Sequence, residues 1–303
     1  MPIRARAAAL RRKFWLYGFI LIALSGILFA VDLVTTWIVH APRIEALATA
    51  VPEETSYMRR AARGGHPPRD REWTPLAGVA PVAACAVIVS EDAEFFNIGT
   101  LNYQIQRVLL ERMLHGDFSR GGSGFAQQLA RNLFLGPQRT MRRKAREYLL
   151  AWQLSHALAK DRQLELYLNL VEWADGVWGI GAASRHYFGI APSQLKPSQA
   201  VVLATMLPAP RRGLARGLSW STANKQLSVL RRLAGTGLID DMTRESTADR
   251  LGLWRAAAMS GVDPADAGER ADRMMGPEPP AHALVGTDRR PLSEACQARR
   301  RPN

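Results

Sequence analysis

Two adjoining stretches decide the fold: RTMRRKAREYLLAWQLSHAL at residues 139–158 and KDRQLELYLNLVEWADGVWGIGAASRHYFG at residues 160–189. The first reads as a long helix with Thr140 as its N-cap. Arg143 and Glu147 lie one turn apart on it, and Lys144 reaches Glu147 at i+3. The second joins an amphipathic helix to another helix through a Gly-punctuated turn. Most of its aromatics read as core, and Gly176, Gly179, Gly181, Ala182 and Ala183 predict close approach of backbones. Outward from here, helical periodicity runs from about residue 73 to 235 with few alternating Val/Ile/Thr runs, so an all-α domain is expected. VAACAVIV at 82–89 is the exception, too short to separate a buried helix from a strand. No internal repeat of solenoid spacing is present.

The charge balance is the outstanding feature of the composition. Lys+Arg 40 against Asp+Glu 27 gives +13, and 47% hydrophobic residues exclude wholesale disorder. Such a surplus points to nucleic acid, an anionic membrane surface or a phosphorylated substrate. Part of it sits at residues 1–13, which hold Arg4, Arg6, Arg11, Arg12 and Lys13 and no acid. Residues 14–39 come next as an apolar run long enough for a bilayer core, with Trp15, Tyr17 and Trp37 near its ends. The run is longer than the hydrophobic region of a cleaved signal peptide, the competing reading. An anchor with its basic flank inside sends the rest of the chain outside, which weakens the nucleic-acid reading. Residues 40–72 read as a juxtamembrane connector, 73–235 as the main domain and 236–303 as an extension, flexible after about residue 262. Cys85 and Cys296 are too few for a disulfide framework or a cysteine zinc site, and Cys85 reads as an inert core thiol.

Three segments carry chemistry. Ser90-Glu91-Asp92 ends the apolar run at 82–89, where partial desolvation suits a carboxylate to act as a general base; by its own residues it reads first as an N-cap with first-turn acids, a common helix start. RGGSGFAQQLARNLFL at 120–135 is a Gly-rich entry into a helix, with Ser123 as a candidate cap. Such an entry offers backbone N–H groups to an anion, and Arg131 adds a bidentate donor; an ordinary amphipathic helix after a turn is the alternative. Arg143, Lys144 and Glu147 form either a silent surface ion pair or part of a pyrophosphate site. The basic residues crowded around that one glutamate favour the second. The six histidines show no metal-ligand spacing.

In their order and spacing these segments resemble the peptidoglycan glycosyltransferases, which polymerise lipid II, in their monofunctional, membrane-anchored form. SEDAEFF at 90–96 resembles the family's first motif, GGSGFAQQLARNLFL at 121–135 the second and RRKAREYLLAWQL at 142–154 the third. YLNLVEWADGVWGIGAASRHYFG at 167–189 and LPAPRR at 207–212 resemble the fourth and fifth, and the likeness runs from about Thr55 to Arg212. It implies a lysozyme-like all-α fold and inverting transfer outside the bacterial cytoplasmic membrane. Glu91 is then the base and Glu147 the second acid, assisting at the pyrophosphate. Asp92, Phe95, Ser123, Gln127, Gln128, Arg131, Asn132, Arg143 and Lys144 form the substrate-binding set. The resemblance also implies lipid II and the growing glycan as partners, with other cell-wall synthesis or division proteins beside them. It allows a divalent cation, magnesium or manganese, at the pyrophosphate.

The chain departs from the family pattern at Ile98, where a histidine is usual, and at Gly124 and Ala126, where hydroxyl residues are usual. Arg131 stands for a lysine and Ser155 for an acid. These changes leave both glutamates and fall on the binding shell. They motivate a second reading, a relative that binds lipid-linked precursors without turnover. Some 90 residues after Arg212, with no K-T-G or S-D-N triplet, leave no room for a transpeptidase domain.

Overall fold

The computed structural model describes residues 2–97, 107, 111, 123–136, 138, 140–214, 219–278 and 291–297. Ile98 lies outside the described residues, as do 279–290 and 298–303 of the extension. Twelve α-helices are described: α1 Pro2–Ala46, α2 Ser56–Arg63, α3 Pro81–Glu91, α4 Phe125–Phe134, α5 Met141–Ala157, α6 Lys160–Leu170, α7 Ile180–Phe188, α8 Pro197–Met206, α9 Trp220–Thr236, α10 Asp241–Met259, α11 Pro264–Met275 and α12 Leu292–Ala295. Three short strands, β1 Asp70–Arg71, β2 Glu172–Ala174 and β3 Val177–Trp178, form a sheet in the order β1-β3-β2. The turn seen in the sequence at 171–179 is therefore a small hairpin, and the fold is otherwise helical, as periodicity predicts.

The ambiguous run at 82–89 is a helix. Pro81 starts it at a position where its missing N–H costs nothing, and every residue from Val82 to Val89 is buried. A helix apolar on all faces must be wrapped on all faces. Residues of α8, α9, α10 and α12 share one core with it, among them Val202, Leu230, Leu251 and Ala295. A second core joins α2, α4, α5, α6 and the end of α1 through Met58, Leu129, Leu150, Leu166 and Ile44. Helices α4 and α6 belong to both: Phe125 and Tyr167 enter the first core, Leu129 and Leu170 the second.

The described residues of the extension pack on the domain. Ala267 and Ala271 of α11 are buried, and Cys296 makes a disulfide with Cys85 in the middle of α3, with 5.0 Å between their Cα atoms. Cys85 is thus a cross-link and not the inert thiol that its apolar neighbours suggest. Composition misleads here because Pro, Gly and charge dominate around 262–303 while the few apolar contacts and the cysteine do the anchoring. Glu278 does similar work: its carboxylate accepts from Ser198 N at 2.8 Å and Ser198 Oγ at 2.6 Å, in the first turn of α8. Burial raises its pKa above the usual carboxylate range, and the Ser198 hydrogen bonds pull it part of the way back.

The long first helix has two parts. Residues 14–31 are exposed apart from the half-buried Gly18, and at 1.5 Å per residue they span about 27 Å, close to a bilayer core. From Asp32 a stripe of covered residues appears at helical spacing: Asp32, Thr36, His40 and Ile44. The stretch expected as anchor to residue 39 therefore divides at Asp32, and its second part docks on α5. Arg142 Nε and Arg146 Nε donate to Asp32 Oδ2 at 3.0 and 2.8 Å, and both Nη2 atoms donate to Oδ1. Gln153 Nε2 donates to the Trp37 carbonyl at 3.2 Å, and the Trp37 and Trp152 rings meet at 5.1 Å.

Buried polar groups fix the connector. Asn169 accepts from Thr74 N at 2.7 Å and donates to the Thr74 carbonyl at 2.8 Å. Gly179, at φ +92°, passes so close that a Cβ would lie 2.9 Å from the Glu72 carbonyl oxygen. The small residues of this stretch do bring backbones together.

Reducing the Cys85–Cys296 bond, or replacing Cys296 with Ala, should lower the stability of the full chain by about 2–5 kcal/mol, read as a shifted denaturation midpoint with and without reductant. Asp32→Asn should speed amide exchange across residues 141–147 and leave the α3 amides unchanged, because the clamp and not the core is lost.

Candidate active site

Helix α3 carries no polar side chain from Val82 to Val89, and its first polar groups appear where it ends. Ser90-Glu91-Asp92 therefore closes a helix, and the reading of it as a helix start is overturned. Carboxylates at this end face the negative pole of the helix dipole and need counter-charge. Lys225 Nζ, from α9, donates to Glu91 Oε1 at 3.0 Å. Asp92 reaches across to the next helix, where its Oδ2 accepts the Phe125 N–H at 2.9 Å. Burial raises the Asp92 pKa, while this hydrogen bond and the nearby Lys160 ammonium draw it part of the way back.

This contact changes the role of the Gly-rich turn. The N-cap of α4 is Gly124, which has no side chain to offer, and Asp92 supplies the cap from 33 positions earlier. A Cβ at 124 would lie 2.8 Å from Asp92 Oδ2, so glycine makes room for the carboxylate. Ser123, expected as the cap, sits one residue outside. Three N–H groups at the start of α4 are engaged: Phe125 N by Asp92, and Gln127 N and Gln128 N by the Gly124 carbonyl at 3.1 and 3.0 Å.

The second glutamate is fully buried and held by its own helix. Thr140 caps α5 as expected, accepting from Arg143 N at 3.1 Å. One turn on, Arg143 Nη1 donates to Glu147 Oε2 and Lys144 Nζ donates to Glu147 Oε1 at 2.5 Å. Lys144 Nζ also donates to Ser123 Oγ and Gln127 Oε1, both at 3.3 Å. Burial lowers the Lys144 pKa, with Glu147 opposing that shift. These bonds tie the two glutamates into one site: Glu91 adjoins Asp92, Asp92 caps α4, Ser123 precedes that cap, and Lys144 links Ser123 to Glu147.

Other expected site residues separate by role. Gln128 Oε1 accepts from the Tyr167 hydroxyl at 3.0 Å, and its Nε2 donates to the Ser123 carbonyl at 3.0 Å. Arg131 is half-buried and forms no ion pair among the described residues, although its charge acts on Lys144 and Tyr167. Phe95 is 3% exposed and packs on Phe125 at 4.9 Å, so it builds the floor of the site. Asn132 turns away: its Nδ2 donates to the Leu170 carbonyl at 3.1 Å. Arg142 and Arg146 also leave, drawn to Asp32, so the basic cluster around Glu147 is smaller than the sequence suggests. Arg211 of the fifth segment donates to both Glu172 oxygens at 3.0 Å, joining it to the fourth.

Among the described residues, the cluster around Glu147 offers no free carboxylate to a divalent cation. Both Glu147 oxygens are engaged by cations, and no three His, Cys, Asp or Glu side chains converge among the described residues. Lys225, Lys160 and Tyr167 belong to the site, and of these only Tyr167 lies in a motif-like segment, the fourth. Tyr167 could have been found, since a buried tyrosine needs a partner for its hydroxyl. Lys225 could not, being 134 positions from Glu91.

Residues 58–234 match the family described as Transglycosylase, a span that passes Arg212 and takes in α9 with Lys225. Curated proteins named biosynthetic peptidoglycan transglycosylase are similar to this chain. The one from Nitrobacter winogradskyi is 39% identical over 188 residues, covering 62% of this chain and 78% of its own length. Those from Rhizobium johnstonii and Nitrosomonas europaea are 42% and 40% identical, covering 55% and 54% of this chain and 64% and 67% of theirs. With the match spanning residues 58–234 and both glutamates set in one helical site, this chain belongs to the transglycosylase family.

Proposed function

We propose that this protein is a peptidoglycan glycosyltransferase that polymerises lipid II into glycan strands and releases undecaprenyl pyrophosphate. The observation that carries this reading is the site itself. A carboxylate at the end of an apolar helix, Glu91, is joined through the start of α4 to a buried Arg143–Glu147–Lys144 cluster.

Glu91 takes the proton from the acceptor sugar hydroxyl. The hydroxyl oxygen attacks the anomeric carbon of the donor chain as the bond from that carbon to the pyrophosphate oxygen breaks. The pyrophosphate leaves with the electron pair, and the anomeric centre inverts. No covalent intermediate with the protein is needed, so one base and a stabilised leaving group suffice. Arg143, Lys144 and Arg131 supply the positive charge for that leaving group. Glu147 fixes the first two in place; without it two neighbouring cations would repel. Charge for the pyrophosphate thus comes from these side chains.

The non-catalytic reading rests on the departures at Ile98 and Gly124. Gly124 has a packing reason, the space occupied by Asp92, so it is no sign of decay. For topology, the basic flank at residues 4–13 favours an inner N-terminus and an outer catalytic domain. The Cys85–Cys296 disulfide supports the same orientation, since such bonds persist in oxidising compartments. Lipid II and the growing glycan are the substrates, with other cell-wall synthesis proteins as candidate partners at the membrane.

The full chain in detergent or liposomes should convert labelled lipid II to polymer. Glu91→Gln should lower that rate by roughly 10²–10⁴-fold, the range for loss of a general base. Lys144→Met should lower kcat more than it raises KM, since it acts on charge that develops in the transition state. No polymer from the unaltered chain across detergents and lipids would overturn the reading.

A further inference from the structure

The carboxylate at the end of α3 is braced by a helix outside all five motif-like segments. Lys225 Nζ donates to Glu91 Oε1 at 3.0 Å. Seven residues on, two turns along the same face of α9, Arg232 Nη1 donates to the Val89 carbonyl at 3.0 Å. That carbonyl belongs to the last turn of α3, where helix acceptors lack partners within the helix. Helix α9 thus lays two cations along the negative end of α3. Ser90 adds a hydroxyl, donating to the Ala204 carbonyl at 3.2 Å and lying 3.4 Å from Glu91 Oε1.

The two oxygens of Glu91 are unlike. Oε1 holds Lys225, whereas Oε2 makes no hydrogen bond among the described residues. We propose that Lys225 is a positioning residue for Glu91: its ammonium fixes Oε1 and leaves Oε2 to receive the acceptor proton. Lys225 does not touch the reacting atoms, and the inference rests on Glu91 being the base.

The charged surroundings agree with this division of labour. From α6, the Tyr167 hydroxyl donates to Gln128; burial, with the charges of Glu91 and Asp92 adding to it, holds its pKa well above the usual tyrosine value, so it stays neutral. Arg131 of α4 acts on the same hydroxyl in the opposite sense. In Glu91's own segment, Asp92 is the neighbouring acid, and Lys160 offsets it. Helix α8 brings the Ala204 carbonyl and no charged side chain. Lys225 is therefore the cation in direct contact with the base.

The test is kcat and KM for lipid II polymerisation by the full chain and by Lys225→Met, Lys225→Arg and Glu91→Gln. Lys225 is 35% exposed at its side chain, and melting curves of the variants check their folding. In Lys225→Met kcat should fall roughly tenfold while KM changes little, because the contact orients the base and not the substrate. Lys225→Arg should restore most of kcat. An unchanged kcat in a folded Lys225→Met protein overturns the inference, as does a Lys225→Arg protein no faster than Lys225→Met. The two readings fail separately: polymerisation by Glu91→Gln removes Glu91 as base, whereas an inactive Glu91→Gln with an unchanged Lys225→Met kcat removes Lys225 alone.

Discussion

A helix without a polar side chain over eight consecutive residues has to be enclosed on every side, and the rest of the domain is arranged to enclose α3. Burying each large aliphatic side chain contributes about 1.5–3 kcal/mol, provided that no face is left wet. Helices α8, α9, α10 and α12 supply the cover, and α12 is tied to the middle of α3 by the Cys85–Cys296 bond. The same enclosure creates the chemistry. Where the apolar stretch stops, Glu91 and Asp92 emerge together into surroundings already depleted of water. Each must find a counter-charge or donor from another element.

Charge is sorted by helix geometry. On α5 a step of about 100° per residue puts Arg142 and Arg146 on one side and Arg143, Lys144 and Glu147 on another. The membrane-proximal helix takes the first pair through Asp32, and Glu147 takes the second. One basic helix therefore serves two ends: it docks the domain on its anchor and carries the charge proposed for the pyrophosphate. These two tasks are joined in one helix, so the contact with the first helix and the proposed site share a single element.

Gly124 shows how a local departure can have a distant cause. By its own neighbours, glycine at this N-cap position looks like a lost hydroxyl. In the folded chain it leaves the space into which Asp92 fits, and the capping function has moved to a residue that no window around α4 contains. The small sheet and the C-terminal helices teach the same lesson. Two- and three-residue strands have too little sequence for a period, and α11 is held by two buried alanines in a Pro- and charge-rich stretch.

What the sequence determined by itself was everything encoded at helical period or at a chain terminus: the all-α class, the cap at Thr140, the Arg143–Glu147–Lys144 cluster and the apolar anchor with its basic flank. Neighbours three or four residues apart meet whatever the rest of the chain does, so these contacts are legible without a fold. Glu91 was visible as a carboxylate at the end of an apolar run, but its helix and its environment were not. The Lys225–Glu91 pair, the Asp92 cap on α4, the division of the arginines between Asp32 and Glu147, and the Cys85–Cys296 bond were decided only by tertiary structure. Each joins groups 33 to 211 positions apart, and only the packing of buried helices brings such groups within hydrogen-bonding or covalent distance.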